Sequence, residues 1–177
     1  MLSDWWLVGP FDHRGGIGFD AVYPPEQEVD LQKKYMGQLE EVSWIKKESD
    51  QRHAILDLNK LLGPHKGAVV YAYRTFESDR AQPIEIRLGT PNGRKLWVNG
   101  ELVFAHEEYH LMSLMDQYRA QAQLKPGTNT LLLKICQNEQ KEDWAQEWNF
   151  QIRVCDSSGT AVLPVEASQP KTASAAR

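Results

Sequence analysis

Residues 106–110 read His-Glu-Glu-Tyr-His. On a helix, this H-E-x-x-H spacing would set His106 and His110 one turn apart as Zn²⁺ ligands, with Glu107 as general base. Glu139, in "NEQKED", offers a further carboxylate. The surroundings point elsewhere. The pentapeptide follows directly on an apolar, strand-like run, and β alternation resumes at about Tyr118. A helix over 107–115 is the alternative, but a polar loop crossing the end of a β-structure is the reading adopted. The match to the zinc motif is then accidental.

The stretch "GGIGFD" at 15–20 resembles half of a dinucleotide fingerprint. It opens no helix, and Pro24-Pro25 follow soon after, so backbone freedom in a loop explains the glycines. Asp12 and Asp20 flank it and are the calcium candidates. Ca²⁺ needs about six to eight oxygen ligands, so solvated aspartates are the simpler account. A structural calcium is the only cofactor left open. There is no nucleophile elbow and no framed Cys–His pair. Nothing picks out two carboxylates for glycoside hydrolysis, whose separation is a spatial fact. No catalytic residue is therefore assigned.

Binding chemistry has better candidates. The segment "QKEDWAQEW", 140–148, joins two late strands and is rich in acids and indoles. Sugar sites combine a flat ring with side chains that hydrogen-bond hydroxyls. Trp148 starts the alternation Trp148, Phe150, Ile152, Val154 and belongs to a core. Trp144 lies outside it, beside Asp143 and close to Gln146. These three, with Tyr109 and His110 on the loop after the hairpin, form the candidate ligand site.

The elements that must position these residues are strands. "KLWVNGELVFA", 95–105, carries Asn99-Gly100 between apolar runs, a hairpin signal because a type I′ turn needs φ > 0 at both central residues. With a two-residue loop, Leu96, Val98 and Val103 share one face, and Trp97, Leu102 and Phe104 the other. Both faces are apolar, so both should be covered. Trp97 then reads as packing. Strands are also expected at 5–8, 40–46, 68–76, 83–88, 118–124, 130–135 and 148–154. One helical turn is expected at 56–62, stopped by Gly63-Pro64, and a turn at Lys125-Pro126-Gly127-Thr128. Residues 9–37, with Pro24-Pro25, should lie extended over the surface. Cys136 and Cys155 fall out of phase with the core-facing positions of two strands expected to be neighbours. Both should point outward as free thiols, too far apart to bridge.

The 177 residues suit one domain, with 41% apolar and 25% charged residues, which is enough for a packed core. Formal net charge is −4, and no basic stripe is present, so nucleic acid is not an expected partner. No apolar run approaches the roughly 20 residues of a membrane span. The N-terminus lacks a basic stretch followed by an apolar core, so no signal peptide is expected.

Three pieces, "KLWVNGELV", "LKPGTNTLLLKICQ" and "WNFQIRVCDSSGTAV", resemble the galactose-binding-domain-like jelly roll. They are similar to the sugar-binding domain of family 2 glycoside hydrolases. The opening "WWLVGPFDHRGGIGFDAVYPPEQEVDL" resembles the version found as an accessory module in large multidomain bacterial proteins. The resemblance implies an all-β, antiparallel jelly-roll β-sandwich with a long N-terminal loop and little helix. It spans about 5–162; the domain is expected over 1–163, and the composition of 164–177 is that of a linker or disordered tail. It implies a non-catalytic module with carbohydrate, or neighbouring domains of a parent protein, as partners. A secreted parent would place it outside the cytoplasm or in the periplasm. The alternatives are a docking module that binds no sugar and, more remotely, a zinc hydrolase using His106, Glu107 and His110.

Overall fold

The chain folds as an antiparallel β-sandwich in a computed structural model that describes residues 1–165. The strands are β1 (Asp4–Asp12), β2 (Lys34–Met36), β3 (Glu41–Ser43), β4 (Ile45–Glu48), β5 (Leu56–Asp57) and β6 (Ala68–Ser78). They continue with β7 (Gln82–Gly89), β8 (Gly93–Val98), β9 (Glu101–His106), β10 (Tyr118–Leu124), β11 (Gly127–Gln137) and β12 (Asn149–Cys155). One sheet runs β4-β1-β6-β11-β8-β9 and the other β10-β7-β12-β5, with β2 and β3 as a separate pair. The helical turn α1 (Leu58–Leu62) stands where the sequence put it. Asp57 accepts from the Lys60 amide at its start, and Gly63 closes it.

The inner faces of the sheets meet in one core. Val70, Ala72 and Phe76 of β6 and Leu131, Leu133 and Ile135 of β11 pack against Ile84, Ile86 and Leu88 of β7. Trp148, Phe150, Ile152 and Val154 complete it. The near-continuous apolar run "AVVYAYRTF" is explained by a second cluster on the other side of the six-stranded sheet. There Val69 and Tyr71 of β6, with Leu132 and Cys136 of β11, pack under Phe19, Tyr35 and Trp44. Residues 13–44 thus form a strap over the outer face of this sheet, and strands covered on both sides read as apolar on both. Gly18 lets the strap close down: a Cβ there would lie 2.5 Å from the Asp12 carbonyl oxygen.

The strap is pinned by charge. Lys134, outward on β11 and wholly buried, donates to the carbonyls of Phe19 (3.0 Å) and Ala21 (2.7 Å) and to Glu26 Oε1 (2.8 Å). The Tyr71 hydroxyl donates to the same carboxylate oxygen. A buried ammonium is tolerable only with such partners.

The hairpin is as read at its turn, with Asn99 at φ 52° and Gly100 at φ 81°. Its register differs lower down. A bulge puts Leu96 opposite Phe104 instead of Val103, and both Val103 and Phe104 reach the core. The turn is tied to the next one: Asn99 Nδ2 donates to Asn129 Oδ1 (2.9 Å), and the Thr130 amide to Asn99 Oδ1 (3.1 Å). Asn129 is buried and holds the 125–128 turn through Lys125 and Gly127.

The cysteine reading needs one correction. Both thiols are free and both leave the core-facing phase, yet both are fully buried. Cys136 lies under the strap, and burial pushes its thiol up to about 12. Cys155 pairs with Glu85 on the far sheet and is bridged by Ala161 of the returning chain. Their strands, β11 and β12, belong to different sheets and are not neighbours. The Val165 amide still bonds to the Glu77 carbonyl (3.1 Å). The expected tail at 164–177 otherwise lies outside the described residues.

Candidate functional site

The pentapeptide 106–110 contains no helix. His106 is the last residue of β9, and the chain from 107 to 109 is irregular. Its side chains separate. Glu108 faces Arg94 (3.4 Å) and the Tyr118 hydroxyl (3.0 Å), with His106 Nε2 3.4 Å from the same carboxylate. Arg94 is wholly buried, its guanidinium 3.7 Å above the Tyr118 ring. Glu107 accepts from the Tyr109 hydroxyl (2.9 Å). The helical geometry that the zinc reading of His106 and His110 requires is absent. The chain leaves a strand there, and the two histidines face different groups, His106 the Glu108 carboxylate and His110 the Asn138 side chain. No group of three or more His, Cys, Asp or Glu side chains that could hold an ion occurs among the described residues.

The calcium candidates are also separately engaged. Arg14 bonds both oxygens of Asp12 (2.7 and 2.8 Å) and holds that carboxyl down at about 2. Asp20 is exposed, 3.4 Å from Lys95.

The binding candidates are brought partly together at one end of the sandwich. Trp144 sits on a 3₁₀ turn (Asp143–Ala145) and is 61% exposed. Its ring stands edge-on to the His110 imidazole, 5.4 Å between centroids. His110 takes φ 65° and bonds through its amide to the Pro91 carbonyl (2.6 Å), which turns its ring toward the indole. Asn138 Oδ1 accepts from the Gln140 amide (3.1 Å) and from His110 Nε2 (2.8 Å). The backbone amide fixes Oδ1 as an acceptor, so His110 carries its proton on Nε2 and keeps Nδ1 as an acceptor. That Nδ1 is buried and without a partner.

Tyr109 lies below this pair. Its hydroxyl accepts from His13 Nε2 (2.7 Å) and donates to Glu107, and its ring fills the space that only a glycine at 93 leaves free. Burial pushes this hydroxyl well above the usual phenol range. His13 is buried too, its Nδ1 unpartnered, and burial holds it below the usual imidazole range. Gln146 staples its own loop, donating to the carbonyls of Lys141 (2.8 Å) and Glu142 (2.7 Å). Asp143 is exposed beside the indole. Lys66 Nζ fixes the loop from beneath by donating to the Ala145 carbonyl (2.7 Å). Trp148, four residues on, is fully buried.

Asn138 escaped the sequence reading. The one signal was its place just beyond the end of a Leu-rich strand, where a polar side chain can turn toward a neighbouring loop. What this end of the sandwich offers is an exposed indole flanked by an imidazole. An open depression lined by 138–142 lies alongside, with Glu139, Glu142 and Asp143 exposed around it.

A β-sandwich with an aromatic platform at one loop end is thus the class that fold and site define. No protein-family model matches the chain, and no curated protein matches it. Among solved structures, an anti-sigma factor domain-containing protein from Clostridium clariflavum is similar over 94% of this chain and 48% of its own, at 11% identity and TM-score 0.46. A beta-glucosidase from Kluyveromyces marxianus, in complex with glucose, is similar over 85% of this chain and 16% of its own, at 11% identity and TM-score 0.49. The chain spans about half the length of the first and about a sixth of the second. Neither likeness carries a ligand or an activity over to this chain.

Proposed function

We propose that the protein is a non-catalytic carbohydrate-binding module of the galactose-binding-like jelly-roll type, working beside other domains of a larger bacterial protein. The observation that carries this reading is Trp144. An indole 61% exposed on an anchored loop, with the His110 imidazole edge-on beside it, presents a flat apolar face with a polar rim to a ligand. The C–H face of a sugar ring would cover it, and Asn138, His110 and Asp143 stand within the same loop cluster to meet hydroxyls. A secreted parent would set the module in the extracellular or periplasmic space.

The test is a glycan array on the whole chain, followed by titration of the best ligand. Trp144→Ala should weaken binding by about 1–3 kcal/mol, the scale of losing an aromatic anchor, with the melting temperature unchanged. Trp148→Ala should cost about 3–5 kcal/mol of stability, because it empties a core position. Ligand binding untouched by Trp144→Ala would remove this site.

A second reading has its own observation. Leu111, Met112, Leu114 and Met115 on the loop 107–117 are all exposed, Met112 at 73%. Such a cluster suits docking against a neighbouring domain. Failure of every glycan, with Met112→Ser altering assembly of the parent protein, would favour it.

A further inference from the structure

The register of the six-stranded sheet lines up one residue from each of five strands. Trp6 of β1 stands opposite Tyr73 of β6, and Tyr73 opposite Leu132 of β11. Leu132 stands opposite Trp97 of β8, and Trp97 opposite Leu102 of β9. Paired residues of an antiparallel ladder point to the same side, so the five form one row across the outer face, perpendicular to the strands. Neighbouring strands lie about 4.8 Å apart, which sets the side chains of Tyr73 and Trp97 roughly 10 Å apart, with Trp6 continuing the row. The three aromatic residues are half-buried, and Leu102 is 49% exposed.

The strap leaves this row partly open. Two grooves, of about 280 and 270 Å³, run along it and share Tyr73. Trp97 and Leu132 floor the first, walled by Gln27 and Glu28, and Trp6 lines the second, walled by Leu31. A polar row lies alongside. Thr75 stands opposite Thr130, and both reach the grooves, as does Asp4. At the Trp6 end Arg74 (3.0 Å) and Lys46 (3.8 Å) share the single carboxylate of Asp4, which leaves one cation in excess. Glu26 is committed to Lys134. The exposed Glu28 of the first groove balances that excess, so the track as a whole carries no net charge and suits a neutral chain.

We propose that this track is a second ligand site, taking an extended, uncharged, β-linked oligosaccharide laid across the strands. Flat rings in a straight chain present broad C–H faces to spaced aromatic side chains, and Thr75, Thr130 and Asp4 meet the hydroxyls along one edge. A protein partner would call for no such line of hydroxyls. The proposal rests on the carbohydrate-binding reading, but not on Trp144.

The experiment is calorimetric titration of the whole chain with cellohexaose, xylohexaose and chitohexaose, with maltohexaose as the α-linked and hexagalacturonate as the anionic comparison. At least one neutral β-linked hexasaccharide should bind. Trp97→Ala should weaken it about tenfold or more, the scale of an aromatic anchor, and Trp144→Ala should leave it unchanged. Thr130→Val keeps the volume and every ring, and should weaken binding several-fold even if Trp97→Ala fails to fold. Loss of binding in Trp144→Ala but not in Trp97→Ala or Thr130→Val would overturn this site and leave the loop-end site standing. Preference for the α-linked or anionic chain would overturn the ligand class. Failure of all five to bind would overturn this track and leave the loop-end site to the glycan array, and dimerisation abolished by Trp97→Ala would then assign the row to a second copy of the chain.

Discussion

On the six-stranded sheet the outward rows are aromatic and lie beneath a folded strap. On the four-stranded sheet one outward row is made of arginines, and the cover is partial, from the 107–117 loop and the returning residues about Ala161. Arg119, Arg87 and Arg153 stand side by side on β10, β7 and β12, and share the two carboxylates of Glu85 and Asp116 on the same side. Like charges paired across strands repel unless counter-charges intervene. The two faces therefore fail differently. The aromatic face depends on a few desolvated polar groups that hold its cover. The charged face depends on a network of partly buried ion pairs in which two carboxylates serve three arginines.

The largest effect should come from Lys134→Met. It strips Glu26 and two carbonyls of their buried partner, and breaking such a pair costs about 3–5 kcal/mol. Chemical denaturation measures this, and the double variant with Glu26→Gln should cost less than the sum of the single changes. A loss under about 1 kcal/mol, the range of exposed pairs, would erase the contrast between the faces. Asp116→Asn removes the counter-charge of two arginines and should cost about 1.5–3 kcal/mol, as for hydrogen bonds to charged groups. Salt should narrow that difference only slightly, because the Asp116 pairs are largely buried, and leave the Lys134 effect unchanged. Gly100→Val at the hairpin tip, beside the aromatic face, forces a β-branched residue to φ 81°. It should lower stability by about 1–3 kcal/mol in thermal melts.

The smallest effect separates the faces by pH. Burial holds His13, on the strap side, below its ordinary 6.5. Just below pH 6.5 the unfolded chain binds more protons than the folded one, so stability falls as pH drops through that window and is flat above it. Arg153, and after it Arg87, hold Asp116 below its ordinary 3.8. Its contribution is present above about pH 3.8 and is lost only in stronger acid. Stability measured against pH should show both windows, and His13→Gln should abolish the upper one alone.

The strands were legible because alternation and β-branched runs are local. The hairpin turn followed from Asn99-Gly100, and the α1 turn from Asp57 and Gly63. Trp148 and Trp144 could be told apart as buried and exposed, since one keeps the strand's phase and the other breaks it. The bulge at Leu96 was not legible, because a single inserted residue leaves the apolar pattern intact.

From the sequence alone come the all-β class, the turns, the core-facing residues and the isolation of Trp144 from the core. These depend on neighbours a few positions apart, where backbone preference and apolar period decide. The tertiary structure decided what covers the strands. Cys136 and Cys155 leave the core yet are buried, because chain segments distant in sequence return over them. It also decided which side chains meet. His110 reaches Trp144 and Asn138, and Trp6, Tyr73 and Trp97 fall into one row. Register between strands tens of residues apart sets those meetings, and it emerges only when the whole apolar surface is buried at once.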